Sequence, residues 1–341
     1  METRKNSNPR PDPSRIIDMA SAFYESCILF TASDLDIFGL LARTGAATAS
    51  DVADTLHLDR RATRLLLDGC CAIGLLRKDQ NVYTNTDESA ALLVPGSPMD
   101  LSKAIRYNRD VYNAWGKLPS FLKTGEPVER PEIHLGEDKK RTRDFVLAMH
   151  GRALGIGRAV IHLLDLKGAR RILDIGGGSG AYSMLVAEAN PHVECVMLDL
   201  PGIVDVACDL ISGAGLQDRV SCVRGDYHVA ELPSGFDTVN IFGVLHQEEP
   251  DSIRDILSRS FAALNPGGVI HVLDMMTDAT HCQPPFSALF AVNMALTTEN
   301  GWVFSDVELK AWMEESGYVD FTCRPLPPPM PHWLASARKP A

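Results

Sequence analysis

The chain has 341 residues, of which 45% are hydrophobic and 23% charged, a net charge of −11 and eight cysteines. That length suits about two or three domains around ordinary cores. The acidic balance argues against a nucleic-acid partner and against polybasic docking on a membrane, because both need a positive footprint. The opening METRKNSNPRPDPSR has no apolar signal core, no run of about 18 apolar residues follows, and the cysteines form no CxxC pair. Free thiols in a reducing cytoplasm are therefore expected.

Residues 1–14 read as a disordered leader. From Ile16 to Ala42 apolar residues recur at helical spacing. Thr48 or Ser50 can cap a short helix, and Leu58-Asp59 a second one with a buried stripe at Ala62, Leu65, Leu66 and Leu67. RKDQNVYTNT then reads as a short polar β-ribbon. Helix, turn, helix, ribbon is a winged-helix pattern. Residues 1–100 carry 10 Lys and Arg against 14 Asp and Glu, so a dimerisation or scaffold domain over 15–100 is expected rather than a DNA reader. Residues 101–165 read as a helical connector broken at TGEPVERPEIHLG. Lys139, Lys140, Arg141 and Arg143 form a solvated basic face, and Arg152, after the apolar stripe Phe145–Met149, is a candidate to face a ligand.

From Arg170 short apolar runs alternate with helical stretches, which indicates βαβ units, a parallel sheet and an α/β domain over 166–341. RILDIGGGSGAYS puts a glycine-rich turn at a strand end that opens a helix. Gly176-x-Gly178-x-x-Ala181 fits the dinucleotide fingerprint, and Asp199, about 20 residues further on, can hold ribose hydroxyls. Asp174, directly before the glycines, would repel a pyrophosphate and suits a cationic ligand. Asp226 offers an acid for an adenine amine or a ribose. NPGG at 265–268 is expected to precede the strand VIHVLDMM. An adenosine, no phosphates and a cationic centre describe S-adenosylmethionine better than a nicotinamide cofactor.

LDIGGGSG, LDLP, GDY, VLH and NPGG, in this order, resemble the class I methyltransferases. More narrowly, they resemble the small-molecule O-methyltransferases that include plant phenolic and acetylserotonin enzymes. The resemblance covers nearly the whole chain. It implies a Rossmann-like sheet behind an N-terminal winged-helix dimerisation domain, a homodimer, a small-molecule acceptor and no metal. It also implies that Gly176 meets the cofactor's methionine part, that Asp199 holds its ribose and that Asp226 and Tyr227 flank its adenine, with Asp174, Gly178 and Leu200 also at the cofactor. His246 falls where the family keeps its catalytic base, Asp274 where an acid orients that base, and Phe145, Met149 and Met294 where apolar residues line the acceptor pocket.

The chemistry agrees with that carry-over. Methyl transfer from a sulfonium is an in-line displacement, and a hydroxyl becomes a good nucleophile only when it loses its proton. An acid behind the histidine fixes its tautomer. Departures from the family pattern also stand out. Gln247-Glu248 replaces an acid or Asn followed by Trp, and the second acid expected to support the histidine falls on Val303, with Glu299 four residues away. A polar cofactor contact falls on Phe242. A thioether needs no base, so S-methylation of a small acid such as 4-methylthio-2-hydroxybutyrate is the alternative, with Arg106, Arg109, Arg143 or Arg152 holding its carboxylate. A nicotinamide oxidoreductase and a non-catalytic S-adenosylmethionine sensor are the remaining classes. His281-Cys282 and Asp226-x-His228 are pairs without a metal-ligand set.

Overall fold

In the computed structural model, residues 12–129, 138–328 and 330–341 are described. They fall into two compact units, Met1–Arg106 and Tyr107–Ala341. Most of the expected leader, and part of the expected break at 124–136, lie outside the described residues. Helix already begins at Ser14.

The first unit is mostly helical. Three helices, α1 (Ser14–Ser21), α2 (Phe23–Asp34) and α3 (Ile37–Thr44), occupy the stretch whose apolar spacing predicts helix. β1 (Ala47–Thr48) leads into α4 (Ala49–Leu56), where Thr48 and Asp51 form a reciprocal capping box, a device that contributes about 1 kcal/mol. Asp59 caps α5 (Arg60–Ala72) by accepting from the Ala62 N–H at 2.7 Å. The buried face of α5 is Thr63, Leu67 and Cys70, while Ala62 and Leu65 are exposed. This corrects half of the expected stripe: Leu67 is buried and Leu66 packs against the core, but three consecutive leucines span more than half a helical turn, so the inward positions are i, i+4 and i+7 from Thr63. A hairpin of β2 (Leu76–Asp79) and β3 (Val82–Asn85) follows, with β1 pairing on the outer side of β3, and α6 (Asp87–Leu92) closes the unit. Ile37, Phe38, Leu41, Leu67 and Tyr83 fill its core.

α7 (Ser102–Trp115), α8 (Leu118–Thr124) and α9 (Lys139–Val160) come next, and Asp138 caps α9 at the Lys140 and Arg141 N–H groups. The second unit carries a seven-stranded sheet. Its elements are β4 (Arg171–Ile175), α10 (Ala181–Ala189), β5 (Glu194–Asp199), α11 (Pro201–Gly213), β6 (Val220–Arg224), β7 (Phe236–Phe242), α12 (Pro250–Ala263) and β8 (Leu264–Asp274). Then come α13 (Pro285–Thr297), α14 (Asp306–Glu315), β9 (Val319–Pro325) and β10 (Trp333–Arg338). The strand order is β6-β5-β4-β7-β8-β10-β9. The first five strands are parallel; β10 is antiparallel to both β8 and β9. This is a Rossmann-like sheet.

Both faces of the sheet are covered. Leu173, Ile175, Val239 and Ile241 join a core with Ile253, Ile256 and Leu257 of α12. Ile172, Cys195 and Met197 join another with Met184 of α10 and Val204 of α11. Strands buried on both sides read as continuous apolar runs, which is how this half was legible. NPGG does not precede β8 as expected. Residues 265–268 are its first part, and the β7–β8 register shifts between Phe236 and Thr238 to absorb them. The strand order reverses between β4 and β7, so the carboxyl ends of these strands open a crevice where α/β sheets bind ligands.

Candidate active site

The β4 end builds one wall of that crevice. Gly176, Gly178 and Gly180 all have positive φ, a conformation that L side chains adopt only with strain. A Cβ on Gly176 would stand 2.6 Å from Val244 Cγ2, whereas a Cβ on Gly178 would meet no atom within 4 Å. The loop is thus pinned at its start and open at its middle. His150 of α9 reaches it, with Nδ1 3.0 Å from Ser179 Oγ.

Asp174 lies beneath this opening and is 1% exposed. Its Oδ2 accepts from Ser183 Oγ at 2.6 Å, and Oδ1 has no hydrogen-bond partner among the described residues. Burial pushes its pKa up to about 7, against the pull of Ser183, and Asp199 adds to the rise. A buried carboxylate oxygen without a donor is costly alone and well suited to a ligand that brings a cation or an N–H. Asp199, at the end of β5, accepts from the Gly178 N–H at 2.8 Å and the Leu200 N–H at 2.7 Å. Burial pushes its pKa up to about 6, and those two donors restrain the rise. Leu200 packs with Phe145 against Val146, Ile203 and Val206. The glycine loop, Asp174 and Asp199 therefore fit a cofactor with a cationic end and a polar middle.

At the end of β6, Asp226 accepts from the His228 N–H and from its ring, and Tyr227 Oη donates to Glu248 Oε1 at 2.7 Å. Burial alone would raise Asp226; the His228 donors outweigh it, and its pKa is lowered. Asp226 and His228 are not the isolated pair expected, because Glu248 joins them. The imidazole stands between the two carboxylates, so the three groups do not converge on a point. Among the described residues no group of three or more His, Cys, Asp or Glu is placed to hold a metal ion.

The opposite wall follows β7. His246 sits on a single 3-10 turn, Leu245–Gln247, before α12. Glu249, not His246, occupies the N-cap position of that helix. His246 Nδ1 is 2.6 Å from Asp274 Oδ1, the last residue of β8. The Met275 N–H also holds Oδ1, at 2.7 Å, and the His246 N–H reaches Oδ2 at 3.2 Å. The histidine side chain is 13% exposed and the aspartate 1%. Phe290 of α13 stands edge-on to the imidazole at 5.3 Å and stacks on Phe286. His332, on the segment that leads into β10, lies within electrostatic reach of Asp274, Arg152 and His246; burial holds its pKa down to about 4, so it is neutral at pH 7. Arg152 also bears on Tyr182, whose phenol burial raises.

The remaining expected pocket residues divide. Met149 is half-buried on α9, and Met294 is buried on α13, with its Cβ 2.9 Å from where a Cβ on Gly301 would lie. Trp115 Nε1 donates to Asn293 Oδ1 at 2.9 Å, which fastens α7 to α13. Of the four arginines considered as substrate anchors, Arg143 pairs with Asp209 and Arg109 with Asp110, both on the surface. The Arg106 side chain lies outside the described residues. Phe242 is buried against Tyr182, Val303 is buried, and Glu299 is exposed.

Ser183, Ser179, His150, Glu248, His228, Phe290 and His332 were not foreseen. Phe290 was within reach, since it lies four residues before Met294 on one helix face. The others meet their partners across loops that periodicity does not describe.

Comparison with known proteins shows the family and the fold. The O-methyltransferase domain family matches residues 132–319, and the O-methyltransferase dimerisation domain matches residues 17–95. The chain is 29% identical to 3-hydroxy-5-methyl-1-naphthoate 3-O-methyltransferase of Streptomyces sahachiroi over 89% of each chain. It is 29% identical to the N,N-dimethyltransferase OxyT of Streptomyces rimosus over 95% of this chain and 96% of that one. Human N-acetylserotonin methyltransferase, solved in complex with SAM, superimposes with a TM-score of 0.86 at 25% identity, covering 99% of this chain and all of that one.

Proposed function

Since the chain belongs to the O-methyltransferase family and is an S-adenosylmethionine-dependent methyltransferase, we propose that His246 is its general base and Asp274 the group that orients it. The methyl group goes to a hydroxyl oxygen of a small molecule. The observation that carries this assignment is the 2.6 Å contact between His246 Nδ1 and Asp274 Oδ1. An ionised carboxylate only accepts, so Nδ1 carries the proton and Nε2 presents its lone pair. Nε2 takes the hydroxyl proton, and Asp274 stabilises the imidazolium that forms. Three backbone and ring donors fix Asp274, so little reorganisation accompanies the step.

We assign Asp174, Gly176 and Gly178 to the methionine end of S-adenosylmethionine, Asp199 and Leu200 to its ribose, and Asp226 and Tyr227 to its adenine. Bound there, it supplies a methyl group on a positively charged sulfur. Phe145, Met149, Met294 and Arg152, with Phe290, line the acceptor side in this reading. The fastening of α7 and α9 by Trp115 and His150 supports a connector over 101–165 that shapes the pocket. The helix and hairpin order of the first unit supports a winged-helix dimerisation domain over 15–100. Ile16, Ile17, Met19, Phe23 and Tyr24 are exposed on α1 and α2, and a homodimer would cover such a face. Among the described residues no helix is long and apolar enough to cross a membrane. We place the protein in the cytoplasm.

The test is transfer of labelled methyl from S-adenosylmethionine into separate pools of hydroxylated rings and methylthio acids. Label in the hydroxylated pool is expected. The relatives named above are an O-methyltransferase and an N,N-dimethyltransferase, and label confined to the methylthio pool would replace the general-base reading with sulfonium formation.

A further inference from the structure

Glu248 lies two residues after His246, at the end of the same 3-10 turn. It is 4% exposed and surrounded by donors. Tyr227 Oη reaches its Oε1 at 2.7 Å, and His228 Nε2 and Ser252 Oγ lie 2.8 and 2.6 Å from its Oε2. Its carbonyl accepts from Trp302 Nε1 at 2.7 Å, and the Trp302 N–H donates to the His246 carbonyl at 3.0 Å. On the other side of the same imidazole, His228 Nδ1 lies 2.6 Å from Asp226 Oδ1, which also takes the His228 N–H at 2.9 Å. Two ionised carboxylates can only accept, so both contacts are hydrogen bonds only when both ring nitrogens carry protons. A neutral imidazole satisfies one and forfeits the other.

We propose that His228, as an imidazolium bridging Asp226 and Glu248, is a positioning residue that fixes the nucleoside end of the S-adenosylmethionine site and ties it to the turn that carries His246. The inference rests on the assignment of Asp226 and Tyr227 to the adenosine. His228 acts through these two residues. Its charge is favoured by Asp226 and Glu248 and opposed by Arg259, which donates to the Tyr227 carbonyl at 2.6 Å and is itself paired with Asp255 at 2.7 Å. The Tyr227 ring lies at 4.5 Å. Burial works against the imidazolium and the two carboxylates work for it more strongly, so His228 holds its proton to higher pH than an ordinary histidine. Above that pH one carboxylate is released, Asp226 being the more exposed, and the nucleoside end loosens.

The experiment is calorimetric titration of the intact protein with S-adenosylhomocysteine between about pH 6 and 8.5. It compares wild type, His228→Gln, Asp226→Asn and the double variant, with thermal melts to confirm folding. His228→Gln, which can donate to one carboxylate at a time, is expected to bind about three- to ten-fold more weakly at the acid end. Its KM for S-adenosylmethionine should rise in parallel, with kcat within about two-fold of wild type. Wild-type affinity should fall as pH rises, while His228→Gln stays flat. The double variant should lose less than the sum of the two single losses, because His228 works in part through Asp226. Equal affinity of wild type and His228→Gln at every pH, or additive losses in the double variant, would overturn the proposal and leave the cofactor assignment standing. Failure of the wild type to bind S-adenosylhomocysteine at all would remove the assignment and the proposal together.

Discussion

Replacing Asp174 by Asn should stabilise the free protein while destroying its hold on the cofactor. The Asp174 carboxyl titrates at about 7 in the folded chain against an ordinary value of 3.8, chiefly because it is buried. A carboxyl whose folded pKa is raised costs the folded state increasingly as pH climbs from about 4 to about 7, and the cost then levels off. A displacement from 3.8 to about 7, at about 1.4 kcal/mol per tenfold in the proton equilibrium, sets an upper limit of about 4 kcal/mol at neutral pH. Asparagine removes the charge and keeps an acceptor for Ser183, but its amide nitrogen then sits where Oδ1 has no partner, at a cost of about 1–3 kcal/mol. A net gain of about 1–3 kcal/mol remains, or about 2–8 °C in Tm for a domain of this size. Melting of wild type and variant at pH 8 and pH 5, with calorimetric binding of S-adenosylhomocysteine, tests both halves. The Tm gain should be larger at pH 8 than at pH 5, and binding should weaken at least about ten-fold. A variant that melts lower than wild type at pH 8, or binds as tightly, would refute the reasoning.

Two further substitutions probe other parts of the site. Asp274→Asn leaves the shape but can turn an N–H toward His246 Nδ1, which favours the wrong tautomer; kcat should fall about 10²- to 10⁴-fold with little change in cofactor affinity, as read by steady-state kinetics beside calorimetry. Gly176→Ala forces a Cβ to 2.6 Å from Val244 Cγ2 at φ +65°, so chemical denaturation should show a loss of about 2–4 kcal/mol together with weakened cofactor binding.

The parts of this molecule that were legible in its sequence share a physical reason. Ile172, Leu173 and Ile175 are buried on a strand covered on both faces, and such strands read as unbroken apolar runs. Gly176 and Gly178 were marked by a conformation that other residues adopt only with strain. Asp59 and Thr48 announced their helices as caps do. His246 and Asp274 entered through family resemblance, and the fold brings them to 2.6 Å. What escaped depends on long-range meeting. Ser183 and Asp174, His150 and Ser179, and Glu248 with Tyr227 and His228 are joined by side chains whose spacing in the chain carries no period. The α5 stripe was half right: Leu66 and Leu67 meet the core, but Ala62 and Leu65 lie outside the inward row of Thr63, Leu67 and Cys70, because a run of consecutive leucines cannot all share one helix face.

The central claim is that His246 removes the acceptor's proton, and its most direct test uses acceptors of graded hydroxyl acidity. Turnover of wild type and His246→Asn should be measured on the same series at saturating S-adenosylmethionine. The account predicts a loss of about 10²- to 10⁴-fold on weakly acidic hydroxyls, shrinking steadily as the acceptor becomes acidic enough to ionise unaided. A variant that turns over all acceptors at the wild-type rate, or loses the same factor on every one, would contradict it.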